Sequence, residues 1–278
     1  MAGHADDPLA HVVDHPTLEL PYWRFPYAWE IELPRIPLPF VGEVQITRFM
    51  TTEVIAAVLV ILVIVPLTRH VTRQHVTRGA FFNAFEAMLL FIRDQVARPA
   101  IGGHSADAFL PYLWTVFFFI LFNNLLGLIP GMASATGNIN TTAALALMTL
   151  AVVLIAGMRE MGPGGFWISI VPHMDVPGLL KPPLWGLMFV IEVSGLLIRH
   201  IVLAVRLFAN MFAGHMVLAV ILGFILMSGQ SPLFYLVMPA SIVGVILLSL
   251  LELFVAFLQA YIFVFLSALF IGSAVHPH

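Results

Sequence analysis

The 278-residue sequence is 60% hydrophobic and only 10% charged, and its mean hydropathy of +1.00 is far above that of a soluble domain of this length. These values exclude a soluble globular protein and indicate an integral membrane protein. The sequence contains no cysteine, which excludes disulfides and thiolate metal sites, and its net charge of −3 is informative only through its distribution along the chain.

The start of the chain differs in composition from the rest. Residues 1–48 are acidic and interrupted by prolines, which predicts an extended or partly amphipathic segment outside the bilayer. Acidic residues stand where a signal peptide carries its basic end, so we interpret this segment as part of the mature chain. Residues 49–278 form the predicted membrane-embedded domain.

Several later runs are apolar enough to cross a bilayer, which takes about 20 residues per helix. They suffice for five or six helices and predict an all-α polytopic membrane protein. Between the first and second runs, residues 79–98 have an amphipathic pattern that predicts a helix lying on the membrane surface. The five longest runs cover about residues 50–68, 109–130, 141–158, 184–227 and 233–271.

The fourth run is too long for an ordinary span. As one helix, residues 184–227 would extend about 65 Å, roughly twice the hydrocarbon thickness of a bilayer. The run contains no proline and only scattered glycines, so we predict a continuous, steeply tilted helix. With the fifth run it would form a long hairpin around the SGQSP turn near residues 228–232. Because charges on such a helix would not face lipid, we expect another protein beside it.

Basic residues predict the orientation, because short cytoplasmic loops are rich in arginine and lysine. The loops after the first and third runs are basic, whereas the amino-terminal segment is acidic. We therefore expect the amino terminus outside the cytoplasm and the carboxyl terminus inside it. The basic loop residues are Arg69, Arg73, Arg78, Arg93, Arg98, Arg159 and Lys181.

Polar side chains form a stripe along the fourth run. At about 100° per residue, Glu192, Arg206 and Asn210 fall within about 40° of one another. Arg199 lies on the same stripe, although it can instead snorkel to the cytoplasmic interface. His215 stands nine positions after Arg206 and projects from the opposite face.

The fifth run carries a polar face that includes Glu252 and Gln259. In an antiparallel hairpin, Gln259 would lie near Arg206. Glu252 would lie between Phe208 and Ala213, within one or two turns of the asparagine and the histidine of the fourth run.

These polar residues have structural as well as functional interpretations. A buried arginine costs about 3 kcal/mol on insertion scales, so we interpret Arg206 as functional. Asn210 and Gln259 fit either a functional role or the hydrogen bonding between helices that buried amides commonly provide. His215 and Glu252 fit either a structural ion pair or a proton relay. We predict no cofactor and no metal site.

Several segments within two stretches of the sequence, residues 119–147 and 191–272, carry a family resemblance. RLFANMFAGH begins at Arg206, follows Glu192 in IEVSGLL, and precedes FVAFLQAYIFVFLSALFIG. Together they resemble subunit a of the F-type ATP synthase, the proton channel of its stator. FILFNNLLGLIPG and TGNINTTAALAL are similar to a span and an adjoining loop of that family, so the resemblance covers about residues 109–273.

The resemblance implies roles for individual residues. Arg206 matches the essential arginine of the family, Asn210 and Gln259 match polar residues near it, and Glu192 matches an acidic residue of the cytoplasmic exit path. Some bacterial members have glutamate where His215 stands and histidine where Glu252 stands, so this chain carries the reciprocal pair.

The resemblance assigns no role to the Arg199-His200 pair, and it implies several partners. Other members often have Lys-Pro where Arg199-His200 stands, and the role of that pair stays undecided. The implied partners are the c-ring of the rotor, subunit b of the peripheral stalk, other ATP synthase subunits and the lipid bilayer, without nucleic acid. The implied location is the cell inner membrane, and the chain would be a channel subunit that is not itself catalytic.

The chemistry of the arginine agrees with that implied function. A guanidinium group does not deprotonate in proteins, so Arg206 cannot relay protons. Its fixed charge can favour the ionised form of a passing rotor carboxylate and can block direct leakage of protons between two offset half-channels. His215 and Glu252, joined by Asn210, could pass protons to the rotor from the non-cytoplasmic side.

A secondary transporter with a midplane site of buried arginine, glutamate and histidine is the alternative function. Transporters of that kind usually have two related halves and broken helices, and the sequence shows no sign of either. An intramembrane hydrolase would need a nucleophile or metal motif, and none is present in the sequence.

Overall fold

The computed structural model describes eight stretches of the chain, and the fold is reported for them. They are residues 17–19, 30–38, 42–74, 79–103, 105–129, 134–171, 181–229 and 232–275. The eight α-helices in these stretches are α1 (Arg48–Gln74), α2 (Ala80–Phe91), α3 (Arg98–Ile101), α4 (Ala106–Gly127), α5 (Ile139–Met161), α6 (Pro163–Ser169), α7 (Lys181–Ser228) and α8 (Phe234–Val275).

Five of these helices are long and apolar enough to cross a membrane, which confirms the predicted fold class. They contain the candidate spans Arg48–Leu67, Ala106–Gly127, Ile139–Met161, Lys181–Ile225 and Phe234–Val275. Each corresponds to one of the five apolar runs. The first helix continues to Gln74, six residues beyond its predicted end, because the arginines and glutamine that follow the apolar run are good helix formers.

The last two helices are much longer than a bilayer requires. Helix α7 has 48 residues, about 72 Å at the usual rise, and α8 has 42 residues. Helix α7 is unbroken, as predicted, because its only prolines lie in its first turn, where their missing amide hydrogens remove no hydrogen bond.

Short strands precede the first helix. β1 (Thr17–Glu19) pairs with β2 (Glu30–Glu32), and β3 (Arg35–Leu38) pairs with β4 (Gly42–Gln45), both antiparallel. In the second hairpin, Arg35 Nε donates a hydrogen bond of 2.8 Å to Gln45 Oε1. The sequence predicted an extended segment here but not the pairing of its strands.

The predicted surface helix at residues 79–98 is interrupted. Helix α2 is followed by a π-helical turn, Ile92–Ala97, and then by the short α3. Within this region Arg98 forms ion pairs with Asp94 at 3.1 Å and with Asp107 at 4.0 Å, and Arg93 approaches Asp107 at 3.7 Å. Both arginines thus reach Asp107 in the first turn of α4, a contact that the helical period alone could not predict.

The chain divides into two compact units. The first unit contains α1 up to Pro66, together with Phe118–Thr141 and Leu207–Ala260. The second unit contains Leu67–Phe117, Thr142–Arg206 and α8 from Tyr261 onward. Helices α1, α4, α5, α7 and α8 therefore each contribute to both units.

Glycines allow close helix packing inside the second unit. A Cβ atom added at Gly157 of α5 would overlap the ring of Phe166 in α6, and one added at Gly272 of α8 would overlap the carbonyl oxygen of Ala100 in α3. Small residues let helix backbones approach in this way where lipid provides no hydrophobic driving force between helices.

Candidate functional site

An amide pair joins α7 to α8 in the first unit. Asn210 Nδ2 donates a hydrogen bond of 2.9 Å to Gln259 Oε1. The Gln259 side chain is 1% exposed, whereas Asn210 lies at the surface. A polar contact thus extends from the interior of the first unit to its surface, and it involves two of the residues that the sequence singled out.

Glu252 lies against the backbone of α7 in the same unit. The residue is buried, and a Cβ atom added at Gly214 would overlap its carboxylate. Any other residue would place a side-chain carbon there, and the end of the Glu252 side chain would then have to shift. Glu252 Oε2 is buried and has no hydrogen-bond partner among the residues that the structure describes.

His215 follows Gly214 directly and is half-buried. Its Nε2 atom is buried and makes no hydrogen bond within the described stretches. The first unit therefore gathers an imidazole, a carboxyl group and two amides, which include both residues of the predicted acid–imidazole pair.

The hairpin register differs from the prediction by up to one turn. Gln259 was expected near Arg206 but bonds Asn210, one turn later. Glu252 was expected between Phe208 and Ala213 but lies against Gly214, one residue beyond that interval. The prediction used only the position of the turn. It did not consider that Gly214 has no side chain and leaves space for the Glu252 carboxylate.

The remaining predicted residues, Arg206 and Glu192, lie on α7 in the second unit. Both are partly exposed, and neither forms an ion pair with any residue in the described part of the chain. Arg199 on the same stripe is exposed. The buried face of α7 is different and consists of His200, Leu203, Ala204, Leu207 and Met211.

The adjacent residues Arg199 and His200 lie in different surroundings. His200 is 3% exposed, its Nδ1 shares a hydrogen bond of 2.8 Å with the carbonyl oxygen of Leu196, and its ring lies 5.0 Å from that of Phe270 in α8. Arg199 points to the surface. The pair thus combines an interior contact at His200 with a surface charge at Arg199.

A buried hydrogen-bond network in the first unit was not predicted from the sequence. Thr136 Oγ1 donates to Asn124 Oδ1 at 2.6 Å, and Asn124 Nδ2 donates to the carbonyl oxygen of Ala256 at 3.4 Å. Ser134 joins through a 2.7 Å contact with Thr136. Ala256 lies one turn from Glu252, so the network ends beside the site. Two adjacent asparagines in an apolar run were the signal that could have revealed it.

The described residues provide no metal centre. No group of three or more histidine, aspartate or glutamate side chains within them could hold a metal ion. The arrangement instead combines titratable and hydrogen-bonding groups between two long apolar helices, which is chemistry suited to moving protons.

These features define a polytopic membrane protein with polar residues gathered between its last two helices. Residues 50–272 match the sequence model of the family described as ATP synthase A chain. The chain belongs to that family.

Individual relatives agree with this assignment. The ATP synthase subunit a of Myxococcus xanthus is 41% identical over 239 residues, which cover 85% of this chain and 76% of the relative. The ATP synthase subunit a of Chlorobium phaeobacteroides is 41% identical over 280 residues, covering 98% and 77%. The protein of the same name from Chloroherpeton thalassium is 39% identical over 274 residues, covering 97% and 76%. The resemblance drawn from the two sequence stretches is confirmed.

Proposed function

We propose that this chain is the proton-conducting stator subunit of a rotary ATP synthase. Two offset half-channels would deliver protons to and from the carboxylates of a rotating c-ring, with Arg206 separating them. Membership of the ATP synthase A chain family supports this function. The observation that carries the mechanism is the gathering of Asn210, Gln259 and Glu252 where α7 meets α8.

The access half-channel would use the first unit. His215 and Glu252 can each bind and release a proton, and each has a buried side-chain atom without a partner among the described residues. The amides of Asn210 and Gln259 can orient water or a proton-carrying group beside them. This half-channel would begin on the non-cytoplasmic side, where the distribution of basic residues places the amino-terminal ends of α1 and α5.

Arg206 would act on the rotor carboxylate. Its guanidinium group is permanently charged and has no ion-pair partner in the described part of this chain. A carboxylate on a neighbouring subunit could therefore pair with it in turn. The pairing would favour release of the rotor proton, and the fixed charge would keep protons from crossing directly between the half-channels.

Glu192 would line the exit half-channel on the cytoplasmic side. It is partly exposed on α7, on the stripe that also carries Arg206. Many large apolar side chains around this stripe are exposed, among them Val190, Ile198, Val202 and Val205. A steep tilt of α7 along the c-ring would cover that surface and explain the length of the helix.

The other expected partners follow from the same assignment. The chain would assemble with subunit b of the peripheral stalk and with further ATP synthase subunits in the cell inner membrane. Its amino terminus would lie outside the cytoplasm and its carboxyl terminus inside. It would itself catalyse no reaction and would bind no cofactor.

Purification of the tagged chain from its native membrane tests this proposal. ATPase subunits and a ring of small proteolipid subunits should copurify with it, and the complex in vesicles should pump protons when ATP is added. A chain that purifies alone and transports a solute would instead support the alternative of a secondary transporter.

A further inference from the structure

One acidic residue inside the membrane has no part in the function proposed above. Glu53 is the sixth residue of α1 and lies in the candidate span Arg48–Leu67, about 7.5 Å from the start of the helix. An ionisable side chain within a span is expensive and is commonly functional. Glu53 is only partly exposed, so it does not simply extend into solvent.

Glu53 makes a specific contact with α5 in the first unit. Thr141 Oγ1 donates a hydrogen bond of 2.6 Å to Glu53 Oε1. Thr141 is the third residue of α5, whose amino-terminal end carries partial positive charge that favours an acidic group nearby. The first turn of α5 has its own cap, since Asn138 Oδ1 accepts from the backbone nitrogen of Asn140 at 2.9 Å. Glu53 is therefore not required to cap the helix.

The start of α1 also belongs to the unit that holds the proposed access residues. Arg48, five residues before Glu53, is buried in that unit. Glu252 lies against Gly214, next to His215. The hydroxyl group of Thr141 and the carboxyl group of Glu53 thus extend the set of polar groups of the first unit toward the ends of α1 and α5.

We propose that Glu53 is a further proton-binding residue of the access route, where a proton from the non-cytoplasmic water binds before it reaches His215 and Glu252. This role rests on the proposed function. The carboxylate takes a proton from water and gives it to the next acceptor, so Glu53 is unchanged after each transfer. Thr141 positions the carboxyl group by donating to one oxygen and leaving the other oxygen for the proton.

The competing role is a clamp in which the Thr141–Glu53 hydrogen bond only holds α1 to α5. Substitutions separate the two roles. Glu53→Gln keeps the side-chain oxygen that accepts from Thr141 but cannot carry a proton. Glu53→Asp keeps a carboxyl group, and Thr141→Val removes the donor while leaving the acid in place.

The experiment measures proton-driven ATP synthesis in inverted membrane vesicles, whose interior corresponds to the non-cytoplasmic side. The membrane potential is held constant while the interior pH is varied from acidic to alkaline, and rates are divided by the amount of assembled complex. Glu53→Gln should match the unchanged chain at acidic interior pH and fall about tenfold behind it at alkaline interior pH, because an acidic group at a channel mouth raises the local concentration of cations by about that factor or more. Glu53→Asp should restore most of the lost rate.

Two results would overturn the role of Glu53. One is a Glu53→Gln complex as active as the unchanged chain at every interior pH. The other is an equal loss at all pH values that Thr141→Val reproduces, as expected of a clamp. Glu160→Gln, which removes an acid at the opposite end of α5, is the matched control and should change nothing. An Arg206→Ala complex measured in parallel identifies a failure of the proposed function itself, because its normal activity would contradict that function whatever Glu53 does.

Discussion

The two units of the chain hold their polar residues in different ways. In the first unit, Gln259 and Glu252 are buried, and each contacts α7 through Asn210 or Gly214. In the second unit, Arg206 and Glu192 are partly exposed on α7. The first unit therefore holds its polar groups mostly inside the chain, some of them with atoms that have no hydrogen-bond partner among the described residues, whereas the second unit presents two charged groups at its surface.

This difference agrees with a channel that shares its central step with a partner. Buried titratable groups can form a route for protons inside one subunit. A charge that acts on a moving carboxylate has to remain accessible to the subunit that carries it. Along α7, Arg206 is the last residue of the second unit and Leu207 the first residue of the first unit, so the proposed function assigns the two tasks to different units.

The largest expected effect comes from Arg206→Ala. ATP-driven proton pumping should fall to background while the complex stays in the membrane, because the proposed function depends on this charge and its removal makes α7 cheaper to insert. Dye quenching in vesicles, with immunodetection of the chain, measures both quantities. Arg159→Ala, which removes an exposed arginine near the end of α5, is the control. Normal pumping by the Arg206→Ala complex would show that the exposed charge of the second unit has no role.

Exchanging the acid and the imidazole should have the next largest effect. His215→Glu leaves two acids in the first unit and Glu252→His leaves two imidazoles, and like groups close together hinder proton transfer between them. Each single change should remove most of the proton flux, and the double exchange should recover part of it. Dye quenching measures the flux in all three variants. Recovery no better than the worse single variant would mean that the two residues act independently.

A methyl group at Gly214 should have a smaller effect. Gly214→Ala places a carbon where the Glu252 carboxylate lies, so the end of this side chain must shift, which costs about 1–3 kcal/mol where the surroundings are tightly packed. If that energy is lost from the working arrangement, pumping should decrease about tenfold or more. Gly223→Ala on the same helix, where an added Cβ would meet no described atom within 4 Å, should pump normally. Equal rates in both variants would contradict the close packing of Glu252 against α7.

The sequence predicted the helices well because length and hydropathy govern membrane spans. The five apolar runs correspond to five helices, and the missing proline correctly indicated that α7 is continuous. Composition also gave an extended amino-terminal segment. The pairing of its strands and the π turn at Ile92–Ala97 depend on neighbouring segments, which a single helical or strand period does not describe.

The sequence predicted residues that lie in the same unit, but not all of their contacts. Asn210, His215, Glu252 and Gln259 are in one unit, yet the register differed by up to a turn because it depends on the space at Gly214. Two further groups of polar residues were missed. The Asn124 network and the Glu53–Thr141 pair become visible only when distant segments meet, since each residue alone resembles an isolated polar residue in an apolar run.

The smallest effect is expected from pairs of cysteines, which test the register between α7 and α8. Because the chain has no cysteine, two introduced cysteines are its only thiols. Cysteines at positions 210 and 259 replace two amides whose side chains meet at hydrogen-bond distance, and a short bifunctional thiol reagent should join them. Cysteines at 210 and 252 should cross-link much less, because position 252 lies against Gly214, about one turn beyond position 210. Mass spectrometry of the linked peptides measures the two yields. A higher yield for the second pair would show that α8 is displaced along α7, and the buried amide contact of the first unit would then have to be reassigned.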